Sequence, residues 1–157
     1  MYPITWAVCE RENSVSWAWF VSMLASDLGM QDGSGWCVIS NQQKGLVDAI
    51  KVYLPLAEHR PCARHVYANL RKTYKGMQFR KLFWAIAKST TPEEFENNMK
   101  LMRELDSGAW DFLMKKNPHQ WCRCFFSCAC KCDSVDNNMA EIFNASIIEV
   151  CRPLINI

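Results

Sequence analysis

The sequence predicts an α/β fold, in which a small sheet near the amino-terminal end is followed by a mostly helical block. Residues 2–9 and 36–40 are rich in β-branched and aromatic side chains, which is typical of strands. Between them, Trp17, Phe20 and Leu24 recur at helical intervals. Strands that alternate with helices favour a parallel pair with right-handed connections.

The first half of the chain supplies the predicted sheet. Tyr2–Cys9 is the first expected strand, and Ser14 or Ser16 is expected to cap the helix that follows. Trp36–Ser40 is a short apolar run of the type buried on both faces of a sheet.

Two further elements are expected before residue 76. Gly45–Leu54 should be a helix that Pro55 stops, and Cys62–Tyr67 is a further candidate strand.

The second half is helical in character. Thr91 followed by Pro92 and two glutamates is a strong helix start. The expected elements are helices at Phe79–Lys88, from Thr91 to about Leu105, at Ala109–Lys116 and at Asn137–Val150, with an extended segment at Trp121–Ser127. We expect Pro153 to prevent simple continuation of the last helix.

Length and composition limit the class of protein. The 157 residues suffice for one domain with a core, and half of them are apolar, which excludes a disordered chain. No apolar run approaches the roughly 20 residues of a membrane span, and the start lacks the pattern of a signal peptide. We therefore expect an intracellular protein without a membrane partner.

Nine cysteines fit such a protein if they stay reduced. Five of them are concentrated in one segment, namely Cys122, Cys124, Cys128, Cys130 and Cys132. Zinc binding is one interpretation, but the spacing differs from the paired C-x₂-C pattern of zinc modules. We expect small buried side chains instead, with residues 128, 130 and 132 on one face of a strand.

Three segments carry a resemblance to a known family. They are "YPITWAVCERENSVSWAWF", "CVISNQQKGLVDAI" and "AEHRPCARHVYANLRKTYKG", and a fourth, "KCDSVDNNMAEIFNASI", fits the same pattern. In order and spacing they resemble the transposases of Mutator-like elements, also called MULE or MuDR transposases.

The resemblance implies a ribonuclease H-like fold with a helical insertion before the last helix. On that basis, residues 1–157 are a partial MULE transposase domain, with the insertion at approximately 76–118 and without the first strands of the fold. A sheet with an open edge is prone to associate, so we expect some self-association.

The resemblance also implies a catalytic site. Family members cut and join DNA with an Asp, Asp, Glu triad that binds two divalent cations, Mg²⁺ or Mn²⁺. The second aspartate falls on Asn41, the glutamate on Glu141, and a Cys-x-x-His signature on Cys62 and His65. The first aspartate would lie upstream of these segments.

Asn41 suggests that metal-dependent chemistry has been lost. An amide is nearly isosteric with a carboxylate but neutral, and one charge pair at ~4 Å is worth ~4 kcal/mol at an effective dielectric of about 20. We therefore interpret the chain as a transposase-derived domain without productive metal binding.

DNA is the partner that the resemblance implies. The cations expected to contact it are Arg60, Arg64, Arg71 and Lys72, in a stretch that interleaves basic and aromatic residues. The formal charge of +2 does not by itself indicate nucleic-acid binding, and an ordinary solvated helix face remains the alternative.

Four functions therefore stay open. They are an inactive transposase-derived domain, a domesticated DNA-binding or transcription-regulatory protein, an active nuclease with unusual ligands, and a protein-interaction scaffold. The resemblance implies a nuclear location. Salt-dependent DNA binding would separate the second function from the fourth.

Overall fold

The computed structural model describes the backbone of residues 3–155 and the side chains of residues 3–147. Within these residues the helices and strands follow one another in the order α1 (Ser14–Asp27), β1 (Cys37–Ser40), α2 (Lys44–Tyr53), β2 (Glu58–Pro61), α3 (Ala63–Thr73), α4 (Met77–Lys88), α5 (Pro92–Leu105), α6 (Ser107–Lys115) and α7 (Asn138–Ile155). Single turns of 3₁₀ helix lie at Pro118–Gln120, Arg123–Phe125 and Cys128–Cys130. The predicted α/β class is confirmed.

The chain forms two compact units. Unit 1 contains the chain up to Trp36, Gln42–Glu58 and the chain from Asn137 onward. Unit 2 contains Cys37–Asn41 and His59–Asp136.

In unit 1, α1 and α2 approach closely where both begin. A Cβ atom at Gly45 would lie 2.8 Å from the Cα atom of Ser14, so only glycine fits at this contact. Asn13, rather than the predicted Ser14 or Ser16, caps α1, because its Oδ1 accepts from the backbone N–H groups of Val15 and Ser16 at 2.9 Å.

The sheet consists of β1 and β2, which run parallel. Glu58 N donates to Trp36 O at 2.9 Å, and Cys62 N donates to Ser40 O at 2.8 Å, so both bonds keep the same offset between the two strands. The carboxyl ends of the strands therefore meet at one edge of the sheet, beside Ser40 and Cys62.

Two predicted strands are wrong. Residues 3–9 have no regular secondary structure and are exposed, and Tyr2 lies outside the described residues. The segment Cys62–Tyr67 begins helix α3, because Ala63, Val66 and Leu70 recur at helical spacing and are fully buried. The second strand is the polar segment Glu58–Pro61 instead.

The helices of unit 2 confirm the expectations for α4, α5 and α6 within two residues at each end. Their core contains a stacked ring pair, Phe83 and Trp121, with ring centroids 5.4 Å apart. The predicted extended segment Trp121–Ser127 is wrong, because its aromatic residues pack into this core and its backbone forms a 3₁₀ turn. Helix α7 continues past Pro153 to Ile155. The prediction that Pro153 prevents simple continuation of this helix is therefore wrong.

No helix within residues 3–155 has the length and apolar character that a membrane span requires.

Candidate functional site

The carboxyl edge of the sheet presents Ser40 and Asn41, and the side chain of His59, the second residue of β2, reaches Ser40. Ser40 is 4% exposed, and its hydroxyl donates to the backbone oxygen of Asn41 at 2.8 Å. The hydroxyl oxygen of Ser40 also lies 2.7 Å from Nε2 of His59, on the neighbouring strand. Because a hydroxyl has one proton, Nε2 of His59 is the donor in this pair. The pair therefore ties the end of β1 to β2 and fixes the backbone at Asn41.

Cys62 and His65 lie next to that edge, in the first turn of α3. Cys62 is fully buried, and its Sγ atom lies within 4.8 Å of a ring nitrogen of His65, which is half-buried. His65 N donates to Cys62 O at 3.0 Å, so the helical turn itself brings the two side chains of the signature together. Two ligands do not complete a structural zinc site, which needs four.

Glu141 lies in the first turn of α7 and is half-buried. Its N–H donates to Asn137 O at 3.4 Å. It belongs to unit 1, whereas Asn41, Cys62 and His65 belong to unit 2. A metal site that combines Glu141 with Asn41 therefore stays a prediction.

The donors of unit 2 do not match a magnesium site. Asn41 supplies a neutral amide, and Cys62 and His65 supply sulfur and nitrogen, whereas Mg²⁺ prefers oxygen ligands and carboxylates. Among the described residues of unit 2 alone, no three His, Cys, Asp or Glu ligand atoms lie within 4.8 Å of one another.

Arg60 is buried, although the sequence suggested a contact with DNA. It is 1% exposed, and its guanidinium carbon lies 3.8 Å from the ring centroid of Phe126. Nη1 donates to Cys132 O at 2.7 Å, and Nη2 donates to Ser127 O at 3.5 Å. This packing gives Arg60 a structural role, which is to hold residues 126–132 against β2.

The cations of α3 have a different environment. Arg64, Arg71 and Lys72 are all exposed, on the side of the helix opposite the buried Val66. Lys72 Nζ donates to Asn69 Oδ1 at 2.9 Å. These three side chains are available to a partner in solution, and their contact with DNA stays a prediction.

The sulfur-rich segment contains turns instead of the predicted strand. Cys128–Cys130 is a 3₁₀ turn, and Lys131 has φ of +46°, so alternating residues do not share one strand face. Cys122 is fully buried, and burial raises the pKa of its thiol above the ordinary value, with a further contribution from Cys124. Burial also raises the pKa of Cys124, and the negative charge of Glu94 adds to this shift.

A rise in pH above about 9 is expected to lower the free energy of unfolding. In the unfolded chain the Cys122 thiol ionises near its ordinary pKa of 9.0, whereas in the folded chain the raised pKa keeps it protonated. Denaturant unfolding at pH 8 and pH 10 measures the change. Cys122→Ala should reduce this pH dependence, whereas the exposed Cys128→Ala should leave it as in the parent. An unaltered pH dependence in Cys122→Ala would contradict the assignment.

Sequence reasoning did not identify the Ser40–His59 pair. The residues of β2 are polar and end in proline, so no alternating pattern indicated a strand that would place His59 beside Ser40.

The chain matches a known family model over part of its length. Residues 1–69 match the family model of the MULE transposase domain, a range that includes β1, α2, β2 and most of α3. No curated protein matches the chain.

Proposed function

We infer from the match over residues 1–69 that this chain belongs to the Mutator-like element transposase family. We propose that it is a transposase-derived domain that binds DNA without cutting it. The observation that carries the proposal is Asn41, an amide at the carboxyl edge of a parallel strand pair. In open α/β sheets ligands bind at this edge, and a hard dication there needs carboxylates.

A ribonuclease H-like arrangement is the fold that we propose for the whole domain. The connection from β1 through α2 to a parallel β2 supports it, since such folds contain parallel strands joined by helices. We propose that helices α4, α5 and α6, which occupy Met77–Lys115, form the insertion expected at approximately 76–118.

Loss of catalysis follows from the donors. The residues that the resemblance assigns to the metal site include one carboxylate, Glu141, and one amide, Asn41. Two-metal catalysis requires several converging oxygen ligands to stabilise the attacking and leaving oxygens. We therefore propose that neither Mg²⁺ nor Mn²⁺ is bound productively.

DNA binding is retained in this proposal through α3. Arg64, Arg71 and Lys72 are exposed on one side of the helix, and long cationic side chains there can contact phosphate groups. Arg60 is no longer part of this set, because its guanidinium is engaged inside unit 2.

Domestication as a DNA-binding or transcription-regulatory protein is the second candidate. The exposed cations of α3 favour it over a protein-interaction scaffold, because such side chains can contact phosphate groups. DNA binding that depends steeply on salt would separate the two, since phosphate contacts release counterions. Both candidates predict DNA binding. They differ in whether the bound DNA has a preferred sequence, which a selection from random duplexes would show.

The purified chain is expected to show no cleavage of duplex DNA with Mg²⁺ or Mn²⁺. Asn41→Asp should also fail to cleave, because it adds one carboxylate to a site that needs several. Incubation of labelled plasmid and short duplexes with each protein, followed by electrophoresis, measures strand breaks. Metal-dependent nicking by the parent that Glu141→Gln abolishes would overturn the proposal. Cleavage by Asn41→Asp alone would show that the missing carboxylate is the only defect.

A further inference from the structure

One stretch of unit 2 contains no acidic residue. Between residues 59 and 92 there is no Asp or Glu, although this stretch holds eight of the chain's 18 Lys and Arg residues. The next stretch has the opposite character, with six acids at Glu93, Glu94, Glu96, Glu104, Asp106 and Asp111. Positive charge in this part of the chain is therefore concentrated on α3 and α4.

Helix α4 contributes exposed cations of its own. Arg80, Lys81 and Lys88 are exposed, while Phe83 and Ile86 of the same helix are fully buried. Arg80 and Lys81 lie about two turns from Lys88, a distance of roughly 11 Å along the helix axis. The Arg80–Lys81 pair and Lys88 therefore have a separation similar to the ~12 Å width of the DNA major groove.

Aromatic contacts hold the two helices together. The ring of Tyr67 on α3 lies 5.2 Å from that of Phe83 and 6.1 Å from that of Trp84 on α4. Tyr74 and Phe79 form a further pair at 5.7 Å, where one helix leads into the next. The cations of both helices are therefore carried by one packed pair, which avoids part of the ordering cost of binding.

The exposed cations are not neutralised within the part of the chain that the structure describes. Arg64, Arg71, Lys72, Arg80, Lys81 and Lys88 form no ion pair there with a carboxylate. Lys88 Nζ lies 5.5 Å from the ring centroid of Trp84, a contact that leaves its charge in place. Unpaired cations on one packed pair of helices attract a polyanion with regularly spaced charges.

We propose that α3 and α4 form one phosphate-binding surface for duplex DNA, so that the DNA contact extends into the helical segment Met77–Lys115. This inference rests on the proposed function, since it adds α4 to the DNA contact that we assign to α3. The contact is to the phosphate backbone and does not depend on base sequence.

The test compares three double variants with the parent chain. Arg80→Gln with Lys81→Gln removes two charges from α4, and Arg64→Gln with Arg71→Gln removes two from α3. Lys100→Gln with Lys115→Gln is the matched control, because it removes two exposed charges from α5 and α6 of the same unit. Circular dichroism should show that all variants keep the helix content of the parent.

Affinity for a labelled 25-base-pair duplex is measured by fluorescence anisotropy over a series of salt concentrations. Each phosphate contact adds about 0.9 to the slope of log affinity against log salt. Both the α3 and the α4 variants should therefore lose up to about 2 in slope, and affinity at 0.1 M salt should fall at least tenfold. The control should match the parent.

The outcomes separate this inference from the proposed function. An α4 variant that matches the control, beside an α3 variant that loses affinity, would overturn the inference and leave the proposed function standing. A parent without salt-dependent duplex binding would overturn both. Loss of single-stranded DNA binding alone in the α4 variant would also contradict the inference, because it would assign the surface to unpaired strands.

Discussion

Replacing Arg60 by alanine is expected to lower the free energy of unfolding by about 3 kcal/mol, although the sequence suggested a surface residue. The change removes hydrogen bonds to the carbonyl oxygens of Cys132 and Ser127 and the contact with the Phe126 ring. It also leaves a cavity where a side chain 1% exposed had been. Denaturant unfolding followed by circular dichroism measures the loss.

Two further substitutions show that the effect depends on the shape of the guanidinium. Arg60→Lys keeps the charge but cannot donate to two carbonyl oxygens in the same planar arrangement, so it should recover only part of the loss. Arg64→Ala removes an exposed arginine from the same unit and should change stability by less than about 0.5 kcal/mol. Equal effects of Arg60→Ala and Arg64→Ala would contradict a buried role for Arg60.

The DNA measurement gives an independent result for the same residue. At salt concentrations where it remains folded, Arg60→Gln, which removes the charge, should keep the salt dependence of the parent, because Arg60 has no access to a phosphate in the folded protein. A lower slope in this variant would show that Arg60 reaches DNA.

The sequence predicted α4, α5 and α6 of unit 2 well because local signals define such helices. Thr91 caps α5, its Oγ1 accepting from Glu94 N at 3.1 Å, and Pro92 occupies the first helical turn. Glu94 accepts from the backbone N–H of Thr90 at 2.8 Å, which holds the pKa of its carboxyl below the ordinary value. Such signals lie within a few residues of one another, so one sequence suffices to find them.

Strand prediction succeeded less often because strands depend on partners distant in sequence. Residues 2–9 have strand-like composition, yet residues 3–9 form no strand. Glu58–Pro61 has a polar composition but pairs with β1 through backbone groups. Composition describes how side chains fit a sheet, whereas pairing is decided by the rest of the fold.

The candidate site was predictable in part. The fall from apolar residues to Ser40 and Asn41 correctly indicated the end of a strand. The proximity of Cys62 and His65 did not follow from the predicted strand, because it depends on the helical turn in which they lie. The buried position of Arg60 was not predictable, because Phe126 and Cys132 lie more than 60 residues further along the chain. The cations of α4 were not recognised either, although the absence of acids between residues 59 and 92 was visible in the sequence.

Replacing Trp121 by alanine is expected to give the largest loss of stability, about 4 kcal/mol. Trp121 is fully buried, and its ring stacks on Phe83 at 5.4 Å with an interplanar angle of 13°. Its Nε1 donates to Lys116 O at 3.0 Å, at the end of α6. The substitution therefore removes a large buried ring and also leaves a carbonyl group at a helix end without this donor.

The phenylalanine variant separates these two contributions. Trp121→Phe keeps a ring against Phe83 but loses the Nε1–H donor and part of the volume, so it should cost roughly half as much as the alanine variant. Trp19→Ala is the control, because that side chain is 51% exposed in unit 1, and it should change stability by less than about 0.5 kcal/mol. Circular dichroism is the appropriate probe, since the variants differ in tryptophan content. If Trp121→Ala and Trp19→Ala cost the same, the stacked pair does not anchor the core of unit 2, and the helices that carry the proposed DNA surface must be held together by other contacts.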